Sequence, residues 1–229
     1  MPMGARLAGR GARAGEGLAR IRPVPPTDLE LLDAWRKGDL DAGDALFNRH
    51  FAAIHRFFRN KVSDGLEDLV QQTFMASVEG RERFRNDSSF RTYLFGVAHN
   101  LLRDHYRAQR REPEAFDFGK SSAVDAGAGP STVVGKRREE RLLLEALRRI
   151  PLDSQIVLEL YYWEEMSASQ TAAVLGVPEG TVRGRVRRAK QLLKDELAKL
   201  AESPQELETT VCNLDRWAEG LRQQMSDGE

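Results

Sequence analysis

At 229 residues with 35 basic and 35 acidic side chains, the chain is long enough for two small domains, and its formal charge of zero gives no overall pull toward a polyanion. The single cysteine, Cys212, excludes an intrachain disulfide, and four scattered histidines offer no zinc spacing, so neither a disulfide scaffold nor a bound metal or other cofactor is expected. No apolar run approaches the roughly 20 residues that span a bilayer, and the N-terminus lacks the apolar core of a signal peptide, so a cytoplasmic chain without membrane contact is expected.

The zero conceals strong segregation. Residues 81–111 carry eight arginines against Glu82, Asp87 and Asp104. Residues 179–194 carry four Arg and two Lys against Glu179, whereas residues 195–229 set nine acidic side chains against Lys199, Arg216 and Arg222. Two basic bodies and an acidic end therefore cancel only in the sum.

Residues 1–26 combine Gly, Ala and Pro with five arginines and few large apolar groups, too few to offset the entropy of ordering, and read as a flexible basic extension. Order begins at Thr27, where Thr27-x-x-Glu30 predicts a capping box ahead of Leu31, Leu32 and Trp35. Gly38 ends that helix. A second helix follows from about Asp41 through Phe47, Ile54 and Phe58, and a third covers about Leu66 to Val78. On the third, Asp68, Gln71, Gln72 and Phe74 suit a partner surface and an ordinary solvated face equally well. After the polar stretch Asn86-Asp87-Ser88-Ser89 a fourth helix starts, with Asp87 or Ser88 as its cap. Its predicted inner stripe is Phe90, Leu94, Ala98, Leu101 and His105, with Arg91, Arg103, Arg107 and Arg110 largely off it.

That fourth helix sets aromatics beside arginines and an amide, a combination suited to single-stranded nucleic acid. Phe90 reads as core, Tyr93 is balanced between core and base stacking, and Asn100 stands off the apolar stripe. His99, Asp104 and His105 do not make a metal cluster, because adjacent residues point to different helical faces. Residues 112–137 turn to Pro, Gly, Ser and Ala without periodicity and read as a linker. Beyond it, Leu143, Leu144 and Leu147 open a helix that Pro151 breaks, and Ile156 through Trp163 continue in another. Glu164 and Glu165 are neighbours rather than a facing pair, so no general acid and base emerge.

A second capping box, Ser167-x-x-Gln170, starts a short helix. Gly176 then permits a left-handed turn, and Pro178 suits the start of the next helix, whose inner stripe is Val182, Val186, Ala189 and Leu193. The pattern is helix, turn, helix, with Gly180, Thr181, Arg183, Arg185, Arg187 and Arg188 left to approach a duplex. A helical hairpin with a solvated basic face is the competing interpretation. In the tail, Leu207, Val211, Leu214, Trp217, Leu221 and Met225 keep helical spacing among acidic residues, predicting an amphipathic helix that packs on the body or a partner and modulates access to it.

Taken in order, DLVQQTF at 68–74, FRNDSSFRTYLFGVAHNLLRDHYR at 84–107, LRRIPLDSQIVLELYYWEEMS at 147–167 and LGVPEGTVRGRVRRAKQLL at 175–193 resemble the bacterial RNA polymerase sigma factors of the extracytoplasmic-function type, within the sigma-70 family. The resemblance implies an all-α protein of two small helical domains on a flexible linker: sigma domain 2 at 27–111, the linker at 112–137 and the helix-turn-helix sigma domain 4 at 138–201, with an acidic extension at 202–229. It implies core RNA polymerase as partner through the beta-prime clamp helices and the beta flap, with Asp68, Gln71, Gln72 and Phe74 on the clamp-binding motif. Asn86, Asp87, Ser88, Ser89, Arg91, Tyr93, Asn100, Arg103, Asp104 and Arg107 fall on the loop and helix that capture a flipped base of the minus-ten element. Gly180, Thr181, Arg183, Arg185, Arg187 and Arg188 fall on the helix that reads the minus-thirty-five element. An anti-sigma protein is a further partner the family implies.

The chain departs from the family at several points. Tyr93 stands where many relatives have Trp, Gly96 where Arg is common, and Gly184 and Arg187 where other residue types occur. A sigma factor that is not itself an enzyme is therefore expected. A stand-alone helix-turn-helix repressor or activator is the alternative, and a nucleic-acid-processing enzyme follows at a distance for want of a catalytic constellation.

Overall fold

A computed structural model describes residues 25–82, 84, 88–109, 117–125, 138–204, 208 and 210. The N-terminal extension up to residue 24, Asn86 and Asp87, most of the linker and nearly all of the acidic tail lie outside these. Helix α1 (Asp28–Arg36) opens on the expected capping box: the Thr27 side chain accepts from the Glu30 N–H, and the Glu30 carboxylate accepts from the Thr27 N–H at 2.7 Å. Gly38, at φ 99°, makes the turn into α2 (Leu40–Arg59), which Asp39 caps through the Ala42 N–H at 3.1 Å. Helix α3 (Leu66–Gly80) follows, then α4 (Phe90–Ala108). Ser89 caps α4, one residue later than expected, because its extended backbone lets its hydroxyl accept from the Thr92 N–H at 3.1 Å while Phe90 enters the core.

Edge-to-face and tilted aromatic contacts bind these helices, Trp35 to Phe47 to Phe74 on one side and Phe58 to Phe57 to Phe95 on the other. The buried stripe of α4 runs through Phe90, Leu94, Ala98 and Leu102, with Phe95, His99 and Tyr106 as a second row. Leu101 and His105, expected within it, are only half-buried. One stripe predicts one packed side, but α4 is packed on two: against α3 and α2, and against the second half of the molecule.

That second half comprises α5 (Arg138–Arg149), α6 (Leu152–Leu158), a π-helical turn (Glu159–Trp163), α7 (Ala168–Leu175) and α8 (Glu179–Leu200). The capping box of Ser167 and Gln170 is present, Gly176 makes the left-handed turn at φ 64°, and Pro178 occupies the cap of α8. Helices α5, α6 and α7 all pack on α8 through Val182, Ala189, Leu193 and Leu197. Val186, expected in that stripe, is half-buried.

Within the stretch read as a linker, residues 117–125 take turns that lie across both halves. Phe118 and Ala123 are buried, Phe118 meets His99 and Tyr106 edge-on, and its carbonyl accepts from the Asp153 N–H at 2.9 Å. Phe116 and Phe118, set among Pro, Gly, Ser and Ala without a sustained period, gave no sign of this strap. Helix α4 meets α7 directly, so the two halves form one closed body.

Candidate nucleic-acid interface

On α3 the buried residues are Leu69, Val70, Thr73 and Ser77, which turns Asp68, Gln71, Gln72 and Met75 outward on a single face. Phe74 is half-buried, stacked on Phe51 with ring centroids 6.2 Å apart. Met75 is 55% exposed and Phe51 36% exposed, so polar groups and an apolar patch lie side by side, as a protein-binding surface requires. Met75 and Phe51 were missed in the sequence. Met75 was detectable, since it falls a turn beyond Gln71 and Gln72.

Two helices fix the approach to α4. The Arg36 guanidinium donates to the carbonyls of Arg81, at 2.8 and 3.0 Å, and Phe84, at 2.5 Å, holding the chain just before the polar stretch. Gly80 lies so close to Tyr93 that a Cβ there would come within 2.1 Å of the phenol oxygen. Tyr93 is thereby seated over α3, tilted against Phe84 and Phe90.

The candidate residues of α4 divide between two faces. Tyr93, Asn100, Asp104 and Arg107 follow one another at helical spacing on the outer side, where Asn100, Asp104 and Arg107 are exposed. Arg91 lies on the opposite side, and Arg103, flanking the outer row, turns its guanidinium the same way, toward the second half of the molecule. Arg103 lies over the Phe118 ring at 5.4 Å, and Arg91 over Phe95 at the same distance. Ser88 is half-buried and Ser89 is committed as the cap, while Asn86 and Asp87 lie outside the described residues.

On α8, Gly180, Thr181, Arg183, Arg187 and Arg188 are exposed, as a helix entering a groove requires. Arg185 differs: its guanidinium turns back to Asp153 at 3.7 Å. Burial raises the Asp153 pKa, and Arg185 and Arg103 oppose that shift.

Charge pairs join the halves. Glu164 is buried and accepts from Arg56 at 2.9 and 3.2 Å, and Arg91 donates to its carboxylate and, at 2.7 Å, to its carbonyl. Lys61 has no exposed surface. Its ammonium donates to the Phe57 carbonyl at 2.5 Å and to Glu159, and burial lowers its pKa against the pull of that carboxylate. Gln155 donates to Glu159 at 2.9 Å and to the Asn60 carbonyl at 3.4 Å. His99 is buried against the Val174 backbone, and burial, reinforced by Arg103, Lys61 and Arg185, lowers its pKa to about 4. Among the described residues no group of His, Cys, Asp and Glu gathers into a metal site, and no helix is long and apolar enough to cross a membrane.

Sigma-70 region 2 matches residues 46–112, and sigma-70 region 4 matches residues 140–193. The chain is 26% identical over 183 residues to the ECF RNA polymerase sigma-E factor of Salmonella typhimurium, covering 76% of this chain and 96% of that one. The sigma-E factor of Haemophilus influenzae is similar to the same degree, 26% over 183 residues, with 76% and 97% covered. Among solved structures, CnrH in complex with the cytosolic domain of CnrY superposes at TM-score 0.56 with 26% identity, over 76% of this chain and 99% of that chain. The sigma factor RpoE of Bartonella quintana, solved with the anti-sigma factor NepR, shares the fold at TM-score 0.53 and 24% identity, over 68% and 96%. The two matched regions, in this order and with a helix-turn-helix in the second, and the relatives that share them identify the chain as a member of the sigma-70 family of extracytoplasmic-function type.

Proposed function

We propose that the chain binds core RNA polymerase and directs it to promoters, reading an upstream duplex element with α8 and holding an unpaired downstream base with α4. The observation that carries this is the row Tyr93, Asn100, Asp104 and Arg107 on α4, a helix packed against α3, whose exposed face carries Asp68, Gln71, Gln72 and Met75. In this reading α3 docks on the beta-prime clamp helices and domain 4 on the beta flap. Melting draws on binding energy, because an extruded base loses stacking that a pocket with an amide and arginines restores. The chain itself contributes no bond-making chemistry and acts in the cytoplasm, with an acidic anti-sigma protein as a natural antagonist of its basic faces.

The two elements lie apart along one duplex, and each helical turn between them adds about 34 Å. The closed body joins α4 to α7; in this reading it is the resting form, and engagement of both elements requires the halves to separate. Arg91, held by Glu164, and Arg103, held over Phe118, are released by that separation.

Run-off transcription with purified core polymerase, with and without this chain, tests the proposal. Specific initiation on a promoter carrying both family elements is expected only when the chain is present. Absence of any gain, including on the chain's own upstream region, overturns it.

A further inference from the structure

A cationic groove lies on the helix-turn-helix half. A groove of about 500 Å³ runs along α8 beside the π-helical turn. Its floor is apolar, formed by Val182, Val186, Leu197 and the rings of Tyr161 and Tyr162. Arg183, Arg187, Lys190 and Lys194 line it, and no carboxylate does. None of these four cations forms an ion pair among the described residues; Lys190 instead lies 4.9 Å from the Tyr162 ring centroid. Tyr161 is 42% exposed.

We propose that this groove is the seat of the chain's own acidic end, residues 211–229. Three features of the molecule favour that occupant. The first is fit: Val211, Leu214, Trp217, Leu221 and Met225 form one apolar stripe of about 21 Å as a helix, against about 22 Å for the α8 surface from Val182 to Leu197. The second is charge, since Asp215 and Glu219, four residues apart, flank that stripe and meet a rim of unpaired cations. The third is the tether. Helix α8 ends at Leu200, one turn beyond the end of the groove, and ten further residues reach at most about 35 Å, ample for the chain to double back. It does not run straight into solvent: Glu202 pairs with Arg138 at 2.6 Å, and Thr210 is buried. A connection this short gives the tail a local concentration on the order of millimolar.

Seated there, the tail covers Arg183 and Arg187. It then competes with duplex DNA for the same cations, a consequence that rests on the promoter-reading role proposed for α8. The docking itself does not.

Because Cys212 is the only cysteine, a benzophenone attached to it reports where the tail lies in the full-length chain. Photocrosslinking followed by mass spectrometry is expected to join Cys212 to peptides containing Tyr161, Tyr162 or residues 183–194, within one molecule. Crosslinks confined to other surfaces, or formed only between two copies, overturn the docking. Lys190→Glu with Lys194→Glu is expected to reduce the groove crosslink several-fold, and Asp215→Lys with Glu219→Lys to restore it; failure of that rescue overturns the electrostatic match. Removing 211–229 is expected to raise affinity for an upstream-element duplex about tenfold. Unchanged affinity, with the groove crosslink intact, removes the competition and keeps the docking. If core polymerase with either chain fails to initiate while the crosslink still maps to the groove, the promoter-reading role fails and the docking stands.

Discussion

Arg91 of α4 and Glu164 at the end of the π-helical turn are locked together twice, through the glutamate's carboxylate and through its backbone carbonyl at 2.7 Å. Arg56 holds the same carboxylate from α2. One buried acid thus neutralises two cations from the opposite half, and Arg91 cannot serve Glu164 and a nucleic-acid strand at once.

Glu164→Ala is expected to open the body. It strands two cations, and removing one partner of a buried pair costs about 3–5 kcal/mol. Small-angle scattering reads the outcome as a larger radius of gyration with unchanged helix content by circular dichroism. A scattering curve superimposable on that of the parent chain contradicts the role given to this residue.

Acid should loosen the same junction through His99. Its folded pKa of about 4 lies below the ordinary 6.5, so the folded state resists protonation that the unfolded state accepts. The stability it contributes is complete above about pH 6.5 and is lost as pH falls toward 4, about 2 kcal/mol of it by pH 5. Burial shifts His50 and His105 in the same direction. His99→Gln is therefore expected to flatten, not abolish, the decline in urea-unfolding stability between pH 7.5 and 5; an unaltered slope counts against it.

Gly80 and Tyr93 should prove energetically coupled. Gly80→Ala puts a methyl 2.1 Å from the Tyr93 hydroxyl, a clash worth about 1–3 kcal/mol. In a Tyr93→Phe background the nearest ring atom is Cζ at 3.3 Å, so most of that cost should vanish. A double-mutant cycle on thermal unfolding measures the difference, and strict additivity would show that Tyr93 is not seated on α3.

Asn100 and Arg187 should separate melting from duplex reading. Both are exposed, on different halves. Arg187→Ala is expected to weaken upstream duplex binding about tenfold, in line with about 1–3 kcal/mol for a groove contact. Asn100→Ala should leave that binding within twofold and reduce permanganate-reactive open complex at least as strongly. Equal effects of both variants in gel shifts and footprinting refute the division. Arg185→Ala should weaken the duplex complex less than Arg187→Ala, because Arg185 starts from a contact with Asp153.

The helices, both capping boxes and the left-handed Gly176 were legible because local rules govern them: hydroxyl caps, a 3.6-residue period and the conformational freedom of glycine. The division of α4 into two working faces was not. A single stripe was visible in Phe90, Leu94 and Ala98, but the side carrying Arg91, Phe95 and His99 is defined by α7 and Glu164, more than 60 residues further on, and periodicity carries no trace of a partner so distant. Glu164 illustrates the limit: beside Glu165 it read only as one of two neighbours that do not face each other, whereas the chain passes Glu165 at φ 50° with Glu164 buried between two arginines.

The strap at Phe118 determines how far apart the halves can travel. While it is held to the second half, only seven residues lie between Gln109 and Asp117, a contour of at most about 29 Å. Once released, the free chain runs from Gln109 to Arg138 and its contour rises to at most about 104 Å. The strap's backbone bonds to the second half, from the Asp153 N–H to the Phe118 carbonyl and from the Leu152 N–H to the Ser121 carbonyl, therefore set the ruler with which the molecule measures the spacing of its target.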